Sequence, residues 1–241
     1  MRVLTLLAAA LLSTPALADW GGPDYVEERE LSLSAEGIEQ LEIEAGAGSM
    51  RLRGESGADA ITVRARVLVD GVEDDEAREF VARHMRLTLE RRGERAELVS
   101  RFEGGGSSWG SRNGAIALEI VVPRGMALDI DDGSGSIEIE ETFADVRVED
   151  GSGSLSIRSV ASLDVDDGSG SLDISDVSGD VRIEDGSGSV RVERVAGSVS
   201  VRDGSGSIRV DDVAGDFRVI RDGSGSVRYS DVLGQVDVPN D

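Results

Sequence analysis

The chain has 241 residues, enough for one large domain or two small ones, with no cysteine, no lysine and a single histidine, His84. Without cysteine there is no disulfide framework, no thiolate nucleophile and no thiolate metal site. A formal charge of -23 argues against nucleic acid, whose phosphates would be repelled, and leaves cations, basic proteins and neutral glycans as tolerable partners.

The chain opens on an export signal. Arg2 is a short basic start, "VLTLLAAALL" is an apolar stretch, and Ala16-Leu17-Ala18 is an A-x-A cleavage site. Residues 1–18 are therefore expected to be removed, leaving a mature chain from Asp19 with a charge of -24, since Arg2 is the one charge lost from -23. The stretch is too short to span a bilayer, and no later segment is apolar enough to do so. With no cysteine after the cleavage site, a lipoprotein anchor is not expected. The location expected is periplasmic or extracellular.

Residues 19–126 are expected to form an irregular N-terminal part. "AGAGSMRL" (45–52) has the form of a glycine corner followed by a strand, and "AITVRARV" (60–67) alternates as a strand. "DDEAREFVARHM" (74–85) is a helix, acidic at its start, with Ala77, Phe80, Val81 and His84 on one face. "RLTLERRGERAELVSRF" (86–102) is a hairpin turning near Gly93. A Gly/Ser loop carrying Trp109 follows, its ring either a loop tip or a contact for a sugar, and "AIALEIVVP" (115–123) returns to strand.

From residue 127 to 241 one phrase dominates. DGSGS occurs six times, beginning at Asp132, Asp150, Asp167, Asp185, Asp203 and Asp222, at spacings of 18, 17, 18, 18 and 19. With the aspartate as position 0, apolar residues recur at positions 5, 7, 10, 14 and 16, as in Leu155, Ile157, Val160, Leu163 and Val165. The second repeat is one residue short near Ser162, the fifth has an extra residue at Ile220–Arg221, and Thr142 alone breaks the apolar set. Positions 5 and 7, then 14 and 16, are two short alternating strands. A unit of this size buries no core alone, but identical units stacked about 4.8 Å apart do. The expected fold is all-β: a parallel β-solenoid of ~18-residue coils, right-handed by the crossover rule, with an N-terminal helix and hairpin insertion that acts partly as a cap. The DGSGS phrase is a corner that resets the alternation. A second corner falls near position 12, where Gly179, Gly197, Gly215 and Gly234 recur. Pro239 cannot donate a ladder hydrogen bond and helps to end the stack.

These DGSGS-[ILV]-x-[ILV] corners with intervening [VF]-x-[VI] strands resemble the bacterial "putative adhesin" family of β-strand-repeat, envelope-associated proteins, from roughly Leu41 to Val238. The resemblance implies the solenoid architecture and a place in the cell envelope. It brings no catalytic residues.

The sharpest anomaly is the column formed by Asp132, Asp150, Asp167, Asp185, Asp203 and Asp222. In register, neighbouring carboxylates repel by roughly 0.8 kcal/mol in water and by more in a lower dielectric. Either each aspartate caps its own turn amides and faces water, or a row of Ca²⁺ ions bridges the column. The phrase matches neither the calcium β-roll repeat nor the EF-hand loop. Outward columns are self-compatible: position 15 reads Arg147, Asp164, Arg182, Ser200, Arg218, Asp237, and position 6 runs from acidic Glu138 to basic Arg228. Catalysis has little support, because a serine nucleophile needs a base and His84 lies on an apolar helix face. Paired acids could in principle cleave a glycosidic bond, but here they repeat in every coil. The expected role is a non-enzymatic rod contacting an envelope protein, a glycan or another copy of itself. A multivalent Ca²⁺-binding rod is the alternative, and a carbohydrate-active β-helix enzyme the third.

Overall fold

The computed structural model of the protein describes residues 25–103 and 114–239. The expected cleavage signal and Trp109 lie outside the described residues.

In chain order the irregular part holds β1 (Tyr25–Ser34), β2 (Gln40–Ala47), β3 (Met50–Glu55), β4 (Ala60–Val69), helix α1 (Asp74–His84), β5 (Met85–Arg92), β6 (Arg95–Phe102) and β7 (Gly114–Pro123). The long β8 (Ala127–Glu140) leads into the regular coils. These consist of β9 (Asp145–Asp150), β10 (Gly153–Val160), β11 (Ser162–Asp167), β12 (Gly170–Val177), β13 (Val181–Asp185) and β14 (Gly188–Val195). The last are β15 (Val199–Asp203), β16 (Gly206–Val213), β17 (Phe217–Asp222), β18 (Gly225–Val232) and β19 (Val236–Asp237).

Two sheets face each other across one core. The first runs β1-β4-β7-β3-β8-β10-β12-β14-β16-β18. The second runs β5-β6-β2-β8-β9-β11-β13-β15-β17-β19. Strand β8 belongs to both, since its first half pairs with β9 and its second half with β10. The solenoid pairs are parallel and in register, so like stacks on like: Ile137, Leu155, Leu172, Val190 and Ile208 form one interior column. All five are buried, and each contributes about 1.5–3 kcal/mol by leaving water.

The coil preceding β8 is made of β2 and β3. Leu41, Ile43 and Ala45 stack on Leu128, Ile130 and Asp132, while Met50 and Leu52 stack on Ile137 and Ile139. The corner at 45–52 is thus a true solenoid corner, and the chain leaves it and returns before continuing the stack. The excursion supplies the cap. Strand β4 pairs antiparallel with β7 and with β1, the hairpin β5–β6 turns at Gly93, and α1 packs Ala77 and Val81 against Val67 and Val69. Antiparallel strands at this end replace the parallel edge that the first coil would expose.

Three details qualify the sequence reading. Strand β1, which alternates along its length, was not singled out there. The extra residue of the fifth repeat is a bulge: Val201 pairs with Val219 and Arg202 with Arg221, so Ile220 is skipped and turns outward. The unexpected detail is position 9. Glu141, Ser159, Asp176, Arg194, Asp212 and Asp231 all have φ between 52° and 59°. Alternation from positions 5 and 7 would aim position 9 inward; the left-handed residue shifts the phase, so that position 10 (Val160, Val177, Val195, Val213) is buried instead.

Candidate functional site

Each aspartate at position 0 is the last residue of a second-sheet strand or lies within β8. Positions 14, 16 and 0 are separated by two, so all three point to the same side of the strand, which is the interior. Asp132, Asp150, Asp167, Asp185 and Asp203 are accordingly 1–5% exposed. They pair in unbroken parallel register from Asp132 to Asp222. The expectation that these carboxylates face water is corrected by the pleat: the corner resets the phase only after the aspartate, not at it.

The capping half of that expectation holds. The backbone N–H of Ser152 donates to Asp150 Oδ1 at 3.2 Å, and Ser169, Ser187 and Ser205 repeat the bond to Asp167, Asp185 and Asp203 at 3.2, 3.2 and 2.9 Å. The other oxygen is the anomaly. Oδ2 of Asp132, Asp150, Asp185 and Asp203 is buried without a hydrogen-bond partner. Burial pushes the carboxyls up: Asp132 to about 7, with the negative charges of Asp150 and Asp131 adding to it, and Asp185 to about 6, with Asp203 and Asp167 adding to it. Asp150, Asp167 and Asp203 are raised by the same desolvation. Below Asp132 the column meets Ala45.

All six aspartates proposed as cation ligands are therefore brought into one column, although Asp222, in the last coil, is only half buried. Among the described residues, no group of three or more histidines or acidic residues is arranged to hold a metal ion. The serines at position 4, such as Ser154, Ser171 and Ser189, are exposed rather than turned to the column.

The outer faces carry ladders of alternating charge. At position 15, Arg147 reaches Asp129 at 4.0 Å, Arg182 reaches Asp164 at 3.9 Å and Arg218 reaches Asp237 at 3.3 Å. At position 9, Arg194 grips Asp176 through two bonds of 2.7 and 3.0 Å, which holds the Asp176 carboxyl below its usual range. Exposed pairs of this kind contribute little, so Asp176→Asn, which removes the charge and keeps a residue suited to the positive φ, is expected to leave the urea unfolding midpoint almost unchanged. At the second corner, Asp and Ser side chains hold the next coil: Ser198 N–H donates to Asp180 at 2.8 Å, Asp216 N–H to Ser198 Oγ at 3.1 Å and Gln235 N–H to Asp216 at 2.8 Å.

His84 lies where the helix pattern put it. Its ring packs 5.0 Å from Phe80, and Nδ1 is 2.9 Å from the Glu103 carbonyl oxygen. The helix face that carries it is turned to the cap's small core of Val67, Val69, Ala77 and Val81.

The sequence profile of the Toastrack DUF4097 family matches residues 38–240. The chain belongs to that family. The match runs from the β2–β3 coil through β4, α1 and β5–β7 and all regular coils, so in this Toastrack chain the cap, apart from β1, is part of the family's domain. Among solved structures, a putative lipid binding protein from Parabacteroides distasonis is 13% identical, covering 91% of this chain and 98% of its own, with a TM-score of 0.46. A putative adhesin from Parabacteroides merdae is 12% identical (91% and 98% covered, TM-score 0.34), and one from Bacteroides fragilis is 10% identical (89% and 97% covered, TM-score 0.34). Likenesses this distant carry neither a ligand nor a role across to the Toastrack chain. No curated protein matches it.

Proposed function

We propose that this Toastrack chain is an exported, non-enzymatic β-solenoid with a structural or interaction role in the bacterial cell envelope, where it contacts an envelope protein, a glycan or another copy of itself. The observation that carries the reading is uniformity. The interior is filled by stacked columns from Leu41 to Val219, and the polar outer positions recur from coil to coil, so among the described residues no coil holds a singular set of acids. A catalytic site needs such a set. What the regular faces offer is a long ladder of paired arginines and acids, suited to contact with another surface. Among the described residues no helix is long and apolar enough to cross a membrane, and the basic-apolar start with its Ala16-Leu17-Ala18 site supports export.

The test is fractionation of a bacterium expressing the full chain with a C-terminal tag, with mass spectrometry of the purified product. A mature N-terminus at Asp19 in the periplasmic or envelope fraction is expected. Uncleaved chain confined to the cytoplasm would sink the reading.

A further inference from the structure

We propose that the interior aspartate column is a proton-binding site, in which stacked carboxyls share protons along the column and make the solenoid more stable in mild acid than in base.

The geometry sets the problem. Five carboxyls are inside the protein, one per coil; Asp150, Asp167, Asp185 and Asp203 each commit one oxygen to a turn N–H, and the next carboxyl is about 4.8 Å away along the stack. A buried carboxylate without a partner is costly, and a row of them adds mutual repulsion. Ionised carboxylates are acceptors only; a protonated one has an O–H to donate. One proton on a carboxyl turns an orphaned oxygen into the donor that its neighbour lacks, and the resulting bond is of the strong, charge-assisted kind. Asp132 and Asp150 pair in register, and Oδ2 of each is buried without a partner, which is the arrangement that one shared proton would satisfy. Acids coupled this closely release their protons as a set rather than one residue at a time.

The charges that act on the column are negative and come from its own members and from Asp131 and Asp166, the outward-facing residues beside them. Asp131 and Asp150 act on Asp132, Asp150 and Asp166 on Asp167, Asp167 and Asp203 on Asp185, and Asp222 on Asp203. Glu149 and Glu184, beside Asp150 and Asp185, alternate to the outer face, where they pair with Arg147, Arg182 and Arg202. Arg202 and Arg221, beside Asp203 and Asp222, are likewise on the outer side of their strands. Beneath the column stand Ala45 and, one strand further, Ser100, whose buried Oγ has no hydrogen-bond partner.

A proton fits this setting and a hard cation does not. Ca²⁺ takes about 6–8 oxygens, whereas each step of the column offers one. The carbonyl oxygens of Asp132, Asp150, Asp167, Asp185 and Asp203 already accept ladder bonds from the glycine N–H of the next coil, at 2.8–3.2 Å.

The direction of the pH effect follows. These acids bind protons more tightly folded than unfolded, so the native state holds more protons between the two ranges. Stability rises as pH falls from about 7, where Asp132 titrates, toward the ordinary carboxylate range near 4, and that gain is absent above it. The opposing acids, Glu141, Asp176, Glu184, Glu193 and Asp211, are lowered by arginine and serine partners. Their contribution is lost only below that range.

The test is thermal unfolding of the full chain at pH 8 and pH 5 at fixed ionic strength, for the native sequence, Asp185→Asn, and the exposed control Asp173→Asn. Asp150→Asn serves if Asp185→Asn does not fold. The native Tm is expected to be higher at pH 5. Asp185→Asn, which keeps the cap to Ser187 and removes a buried charge, should raise Tm at pH 8 and shrink the pH difference, while Asp173→Asn leaves that difference unchanged. Equal pH responses in all three would overturn the proposal. So would a saturable, Ca²⁺-specific rise in Tm at pH 8 that a chelator reverses, since the column would then hold metal ions.

Discussion

Gly170→Ala is expected to destabilise the protein by more than about 4 kcal/mol, in the range of the most damaging single substitutions. Gly170 is the second glycine of its DGSGS corner, with φ +154°, and a Cβ there would lie 1.7 Å from the carbonyl oxygen of Gly153 in the coil below. The clash is with backbone, so no side-chain rotation relieves it. Its own N–H also donates to Ser187 O at 3.0 Å, which ties the corner to the coil above. Separating the coils locally would therefore break the ladder in both directions. Gly57→Ala is the control: φ there is +81°, but nothing lies within 4 Å of the added Cβ, so the expected loss is only about 1 kcal/mol. Urea denaturation of both variants measures the difference. A Gly170→Ala protein as stable as Gly57→Ala would mean that the corners do not stack this closely.

Phe217→Ala is expected to lose about 3–5 kcal/mol. Phe217 is fully buried at position 14 of the fifth coil, where the coil before it has Val199, and its ring lies 5.8 Å from Tyr229 in the last coil. Because each coil touches chiefly its neighbours, the loss should be felt first in β17 to β19. Amide exchange in β18 is expected to accelerate before that in β12, where Leu172, Ile174 and Val177 keep their columns. Uniform acceleration in both strands would show that the stack unfolds as one unit.

The repeat made much of this architecture legible. Five apolar positions per unit, each β-branched or leucine in most coils, leave few alternatives to stacking, and the 17- and 19-residue spacings located the irregular coils, Ile220 at the bulge among them. The degenerate corner at 45–52 was readable because Gly46, Gly48, Met50 and Leu52 keep the spacing although Ala45 replaces the aspartate. What escaped was phase. An aspartate beside a glycine turn reads as a surface residue, and only counting onward from positions 14 and 16 shows that position 0 faces inward. Position 9 escaped for a related reason. Serine, aspartate and arginine give no common signal for a left-handed backbone, and the sign was the three-residue step from Ile157 to Val160 where two was due. The helix and hairpin were visible from local pattern, but their place in the stack depends on pairings such as Met50 with Leu118, which local pattern does not encode.

The two ends of the stack are unlike. The first coil is covered by antiparallel strands, whereas among the described residues the last coil leaves Tyr229, Leu233 and Val236 exposed and no strand pairs beyond it. Every regular coil also carries its own corners, its own interior residues and its own outer charges. Length is thus a genetic variable. An in-frame duplication of about eighteen codons would lengthen the rod by one strand spacing, roughly 4.8 Å, and create no type of contact that is not already present. A gene of this form can grow or shrink by whole coils while the cap and its folding remain untouched.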